Sequence, residues 1–260
     1  MADSVSNRGW ATTSKDDPSV QALRTHLLEN NGVKGLEIVG AQDIQQASAL
    51  FRRDGYVIVA DVLNGEQTEF LAQGCDQVVS EIIALDTDHK GNRGPHRYSF
   101  GGSSLTRSQL HRAEWQMLLD LPVVHQLVSN IFGSAEYCLR AASGDFCLPG
   151  AVHYQPLHSD IVDYVDANQS PFSAFVDPTK AMTIRDLPCP YVCVNFLPQA
   201  LTKLNGPTRQ ISGTQQSRQP IPRLKDEPEW MRLSTLCPAP AGAIIVRDVR
   251  AWHGGTPNLS

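Results

Sequence analysis

QPLHSDIVDY, residues 155–164, sets His158 and Asp160 two positions apart in an apolar and aromatic frame. In an extended strand, residues i and i+2 point to the same side, so both side chains can grip one ion while Ser159 turns away. A second stretch completes the set. GAIIVRDVRAWHGGTPN, residues 242–258, is an apolar strand leading into His253 and a Gly-Gly turn. Two imidazoles and one carboxylate form a facial ligand set that suits non-haem Fe(II) and leaves the opposite coordination face open. Each piece alone is weak, since a lone histidine is more often a surface or hydrogen-bonded residue. Set between apolar runs, the H-x-D charge needs a partner, and a metal is the simplest.

Working outward, the 260 residues are enough for one large domain or two small ones. With 22 Lys and Arg against 27 Asp and Glu, the net charge of −5 gives no electrostatic case for nucleic acid or an anionic membrane. No apolar run reaches transmembrane length and no N-terminal signal segment is evident. None of the six cysteines forms a C-x-x-C pair. We expect reduced, mostly buried thiols in a cytoplasmic protein with a small-molecule substrate, with a homodimer as one open arrangement.

The polar residues 1–16 are expected to form a disordered tail. DPSVQALRTHLLENNG (17–32) predicts a helix stopped at Asn31-Gly32, and GLEIVG (35–40) a strand. In AQDIQQASALFRRDG (41–55), Ile44, Ala47, Leu50 and Phe51 share one helical face, and Gly55 ends it. A buried strand, YVIVADVL, and a long helix, residues 65–85, follow. Residues 86–104 are glycine-rich and predict a loop that shapes a binding site. Residues 105–133 are helical, interrupted at Pro122. Beyond residue 135 the texture changes to short apolar runs and turns: AEYCLRAAS, GAVHYQ, LHSDIVDY, YVCVNFLPQ, RQISGT and GAIIVRDV. Helices first and strands later predict helices packed on one side of a β core.

Taken in order, these motifs resemble the phytanoyl-CoA dioxygenase (PhyH) family of Fe(II)/2-oxoglutarate-dependent oxygenases. The resemblance runs from about Gln42 to the end. It is carried by LFRRDGYVIVADVLNGEQ (50–67), RYSFGG (97–102), QPLHSD (155–160), YVCVNFLPQALTKLNGPTRQISGT (191–214) and IIVRDVRAWHGGTPN (244–258). It implies a mainly β chain with flanking helices around a double-stranded β-helix, a jelly-roll, cupin-like core with iron at its open end. The whole of 17–260 would be one oxygenase domain. Residues 17–134 would form its helix-rich half and 135–260 its core, with 163–188 inserted as a lid that also offers Asp163, Tyr164 and Asp166. The implied iron ligands are His158, Asp160 and His253. Gln155, Thr208 and Arg97 are implied at 2-oxoglutarate, with O₂ as the other cosubstrate. Bland readings stand beside these: a strand hydrogen bond for Gln155, a turn for Thr208, a surface cation for Arg97.

The resemblance further implies hydroxylation, or another oxidation of a C–H bond, in a small organic metabolite, with release of succinate and CO₂. The intact Asp160 favours oxygenation over halogenation. No basic cradle for coenzyme A is evident. One departure concerns an Arg that the family places some residues past its second His, where the planar fork pairs with the distal carboxylate of 2-oxoglutarate. The sequence stops at Ser260, seven residues past His253, and reads as truncated there. Arg247 lies at even spacing from His253 but too far along to be a substitute, and Arg250 lies at odd spacing. Two alternatives stay open on the residues alone: a divalent-metal hydrolase using the same three ligands, and an inactive binding member of the family.

Overall fold

The face formed by Ile44, Ala47, Leu50 and Phe51 builds the first half of the protein. In the computed structural model, which describes residues 9–101, 107–161, 177–179 and 181–260, these side chains lie on one buried side of helix α2, Ile44–Asp54. Gly55 ends the helix in the left-handed region at φ 79°, which glycine enters without strain. The chain turns there into strand β2, Tyr56–Ala60. Strand β1, Ile38–Gly40, precedes α2 and pairs with β2 in parallel. Helix α1, Pro18–Asn30, and helix α3, Gly65–Leu85, fall where the sequence places them. The start of α3 carries a capping box between Asn64 and Gln67.

Strands β5 (Val192–Phe196) and β7 (Ile244–Asp248) complete one sheet in the order β1-β2-β7-β5, with β7 antiparallel to both neighbours. All five residues of β7 are buried, because this strand is covered on both faces. Ile244 and Val246 join Val57, Val59, Phe51 and Leu127 in the core beneath the helices. Ile245 turns the other way, to Tyr56, Ile58 and Leu236. Helix α5, Pro122–Phe132, packs beside α2 over this sheet.

Two small ribbons complete the β half. Strand β3, Arg97–Gly101, pairs with β4, Ser143–Cys147, and β6, Thr208–Gln210, pairs with β8, His253–Gly255. Successive side chains of a strand alternate. One face of the first ribbon therefore carries Tyr98, Phe100 and Phe146, packed on one another and on Trp115. The other face carries Arg97, Ser99, Asp145 and Cys147.

Several expectations are corrected. The stretch 86–104 is not all loop: β3 lies within it, because its ladder to β4 satisfies five buried residues. AEYCLRAAS forms no strand before Ser143, where β4 begins. GAVHYQ and LHSD make single bridges, Ala151 to Asn258 and His158 to His253, rather than ladders. Among the described residues helix outweighs strand, 34% to 18%, so they are not mainly β by content. Pro122 starts α5 instead of interrupting a helix, as its fixed φ and missing N–H allow. The stretch before it breaks into 3₁₀ turns at Gln109–His111 and Met117–Leu119 around the short helix α4, Ala113–Gln116. A last short helix, α6, is Glu229–Arg232.

Of the expected tail, residues 1–8 lie outside the described residues. Trp10, in its last part, donates its backbone N–H to Pro149 O at 2.8 Å. Most of the expected lid, including Asp163, Tyr164 and Asp166, also lies outside the described residues, as do 102–104 of the expected loop. All six cysteines are free, but only Cys237 is buried; Cys138 is exposed and the other four are half-buried. Among the described residues no helix is long and apolar enough to cross a membrane.

Ile58 is fully buried at the centre of β2, between β1 and β7. Ile58→Ala should lower unfolding free energy by about 2–5 kcal/mol in urea titration, the usual cost of a large-to-small change in a core that cannot close up.

Candidate metal centre

A reciprocal pair of backbone bonds builds the site. His158 N–H donates to His253 O, and His253 N–H to His158 O, both at 2.9 Å. The two rings come side by side, with centroids 4.3 Å apart. Asp160 N–H donates to Val249 O at 2.8 Å, which holds the carboxylate on the same side. The ligand-capable atoms of His158, Asp160 and His253 all lie within 4.8 Å of one another. Asp160 Oδ1 is 3.4 Å from His253 Nε2 and 3.8 Å from His158 Nε2. The H-x-D geometry thus needs only an extended segment and one bridge, not the regular strand that the spacing suggests.

The donor set fits a divalent transition metal. Each imidazole uses its Nδ1–H on a backbone carbonyl, His158 on Pro156 O at 3.1 Å and His253 on Ala251 O at 3.0 Å. That choice of tautomer leaves the Nε2 lone pairs facing each other across the site. Burial, and then the charge of Arg247, push His253 down to about 4, so the imidazole is neutral and able to ligate at neutral pH. Burial raises Asp160, but the Arg247 charge and its hydrogen bond outweigh this and hold the carboxyl well below the usual range. The side chains grade from His253, 7% exposed, through Asp160 at 31% to His158 at 39%. Solvent therefore reaches the His158 and Asp160 side of the site more than the His253 side.

The three residues expected at the cosubstrate meet at Gly255, two positions past His253. Gln155 Oε1 accepts from Gly255 N–H at 3.0 Å. Thr208 is the ladder partner of Gly255. Arg97 is neither a surface cation nor a loop residue. It is buried in β3, and its Nη2 donates to Thr256 O at 2.7 Å and His153 O at 3.2 Å. A Cβ on Gly255 would stand 2.1 Å from Arg97 Nη1, so glycine is required for this approach. Among the described residues no carboxylate lies within ion-pair distance of Arg97.

Other groups were missed. Arg247 does reach the site, where its Nη2 donates to Asp160 Oδ2 at 2.5 Å. Its even spacing from His253 was the available signal, but the carboxylate at the far end could not be foreseen. Arg250 is paired instead with Asp248 and holds the Ile184 and Leu187 carbonyls. Asp145, on β4, is exposed and within electrostatic reach of Arg247, Arg93, Asp160 and His158, and its side chain has no hydrogen bond among the described residues. A lone Asp in a short run gave no hint of this. Arg209 and Glu227, both fully buried, form a bidentate pair at 2.5 and 3.0 Å. Arg209 also donates to Gln155 O at 2.6 Å, and Glu227 Oε1 accepts from Leu157 N–H at 3.4 Å, so the pair braces the strip leading to His158.

A family model described as phytanoyl-CoA dioxygenase (PhyH) matches residues 51–260. The chain belongs to the phytanoyl-CoA dioxygenase family. It is accordingly an Fe(II)/2-oxoglutarate-dependent enzyme. Solved structures with a similar fold include AviO1 from Streptomyces viridochromogenes Tue57, at 19% identity and a TM-score of 0.52, over 84% of this chain and 89% of that one. SnoN, a non-haem α-ketoglutarate-dependent epimerase from nogalamycin biosynthesis, gives 18% and 0.52, over 84% and 78%. EctD from S. alaskensis, solved with 2-oxoglutarate and 5-hydroxyectoine, gives 15% and 0.54, over 89% and 78%. At these identities the likeness is one of fold. No curated protein sequence matches the chain.

His158→Ala or Asp160→Ala should abolish Fe(II) binding measured by anaerobic calorimetry, with circular dichroism unchanged; stoichiometric binding in either would sink the ligand assignment. Glu227→Ala strands the buried Arg209 charge and should destabilise the fold by about 3–5 kcal/mol in denaturant titration.

Proposed function

We propose that this chain oxidises a C–H bond of a small, polar organic metabolite, by hydroxylation or a related outcome, within a double-stranded β-helix. The observation that carries the proposal is the convergence of His158, Asp160 and His253 with both Nε2 atoms presented to one point. When bound there, Fe(II) would couple oxidative decarboxylation of 2-oxoglutarate by O₂, which yields succinate and CO₂, to oxidation of the second substrate. The protein's part is to bind, orient and shield.

Arg97, Gln155 and Thr208 are the groups we assign to 2-oxoglutarate. Arg97 has the planar fork that matches a carboxylate. Its existing bonds to Thr256 O and His153 O fix the guanidinium in place before any anion arrives. Gln155 is held by its bond to Gly255 and by Arg209 behind it. Asp160, being present, supplies the carboxylate that oxygenation requires at this site.

The substrate side is read from the residues beside the metal centre. Asp145 stands on the inward face of β4 with Ser99 opposite it on β3. Cys193 and Asn195 alternate with the core-facing residues of β5, and Tyr191 precedes them with Arg140 over its ring at 5.4 Å. Solvent reaches the Asp145 carboxylate, yet protein crowds it; this burial raises its pKa more than the Arg247 and Arg93 charges lower it. A carboxylate with no hydrogen bond among the described residues, beside the metal centre, suits a substrate bearing hydroxyl or amine donors, since the donor would satisfy it.

The direct test adds Fe(II), then 2-oxoglutarate, to metal-free protein without oxygen. The expected result is the visible iron-to-keto charge-transfer band; iron binding with no band at saturating 2-oxoglutarate would reject the cosubstrate assignment. Asp145 gives a second check. Its pKa is raised on folding, so its ionised form costs stability above the unfolded value of about 3.9, and the cost vanishes below it. Asp145→Asn should therefore raise the melting temperature of metal-free protein at pH 7. The gain should disappear as pH falls toward 3.9.

A further inference from the structure

We infer that Arg247 is a positioning residue that makes Asp160 present a single oxygen to the metal, an inference that rests on the metal-centre reading above. The two oxygens of Asp160 are divided between two tasks. Oδ2 accepts from Arg247 Nη2 at 2.5 Å. Oδ1 faces the Nε2 atoms of His253 and His158 at 3.4 and 3.8 Å. A carboxylate can bind a metal through one oxygen or through both. With Oδ2 turned to Arg247, Oδ1 is the oxygen left facing the two imidazoles.

Arg247 is well placed to impose this. It sits on β7, inside the sheet, opposite Tyr56 on β2 and Cys193 on β5. Its side chain is 8% exposed. The backbone that carries it is held by ladders on both sides, so the guanidinium cannot follow Asp160 if the carboxylate turns. Asp145 supplies a second negative charge near the guanidinium. Arg247 Nε is buried with no partner, so the side chain's one ion pair among the described residues is with the candidate ligand.

A cation beside a metal ligand opposes metal binding by simple Coulomb repulsion. Its placement there is understandable if it controls geometry. Three protein ligands through three atoms leave three of six octahedral positions open, whereas a bidentate Asp160 would close one of them. The open positions are those a chelating cosubstrate and O₂ would need.

The test counts exchangeable waters on the metal, with Mn(II) alone as the probe. Metal-free full chain is loaded with Mn(II), and the inner-sphere waters are counted from water-proton relaxation. The wild type and Arg247→Lys should each give three waters, since an ammonium can still hold Oδ2. Arg247→Met and Arg247→Leu should each give two, because the freed Oδ2 swings onto the metal. Three waters in the apolar variants would overturn the inference. Two waters in the wild type would also overturn it, and that result needs no variant to fold. A wild type that binds no Mn(II) would instead reject the metal centre itself, so the two failures are told apart.

Discussion

Everything at the site hangs on two backbone hydrogen bonds between His158 and His253. They join segments that are distant in sequence, and they set both rings on one side with a centroid separation of 4.3 Å. A single bridge is a weak constraint by itself, each such bond contributing about 1 kcal/mol net. It holds because the strands around it are anchored elsewhere. β8 is paired to β6, and the residues before it run directly from β7, the most deeply buried strand of the sheet.

Buried charge does much of that anchoring. Arg209 and Glu227 meet with no solvent exposure, tied to Gln155 and Leu157 just ahead of His158. Arg250 grips Asp248 and, through the Ile184 and Leu187 carbonyls, closes the other flank. Arg185 links the two sides by donating to Arg250 O and to Ser159 Oγ. Such pairs add little net stability over apolar packing, yet they are costly to break singly, which makes them effective at fixing one arrangement. The described residues just before His158 and His253 are therefore held by fixed partners, as a preorganised site requires.

The open side of the centre has the opposite character. Asp145 carries a charge that the fold disfavours, and Arg97 holds a cation with no carboxylate beside it among the described residues. Each is a local departure from good folding that a bound molecule would relieve. Such departures collect at functional sites, because groups fully satisfied by the protein have nothing left to offer a ligand. Arg97 and Asp145 lie on the same ribbon face, two residues and a strand apart.

How much was legible in the sequence follows from the range of each interaction. Ligand identity was legible because H-x-D and the distant H-G-G are local chemical patterns, and any chain that brings them together makes the same centre. The α2–β2 entry and α3 were legible too, through periodicity, Gly55 and the Asn64 cap, all of which act within a few residues. What only the tertiary structure decided involves partners far apart. β3 reads as a glycine-rich loop until β4 satisfies its backbone, and Arg97 reads as a surface cation until Thr256 closes over it. Arg247 shows even spacing and nothing more until Asp160 arrives from a distant segment to accept its hydrogen bond. Side-chain alternation tells which way a residue points, but not what will be waiting there; that is set by strand register between distant segments, which no local pattern encodes.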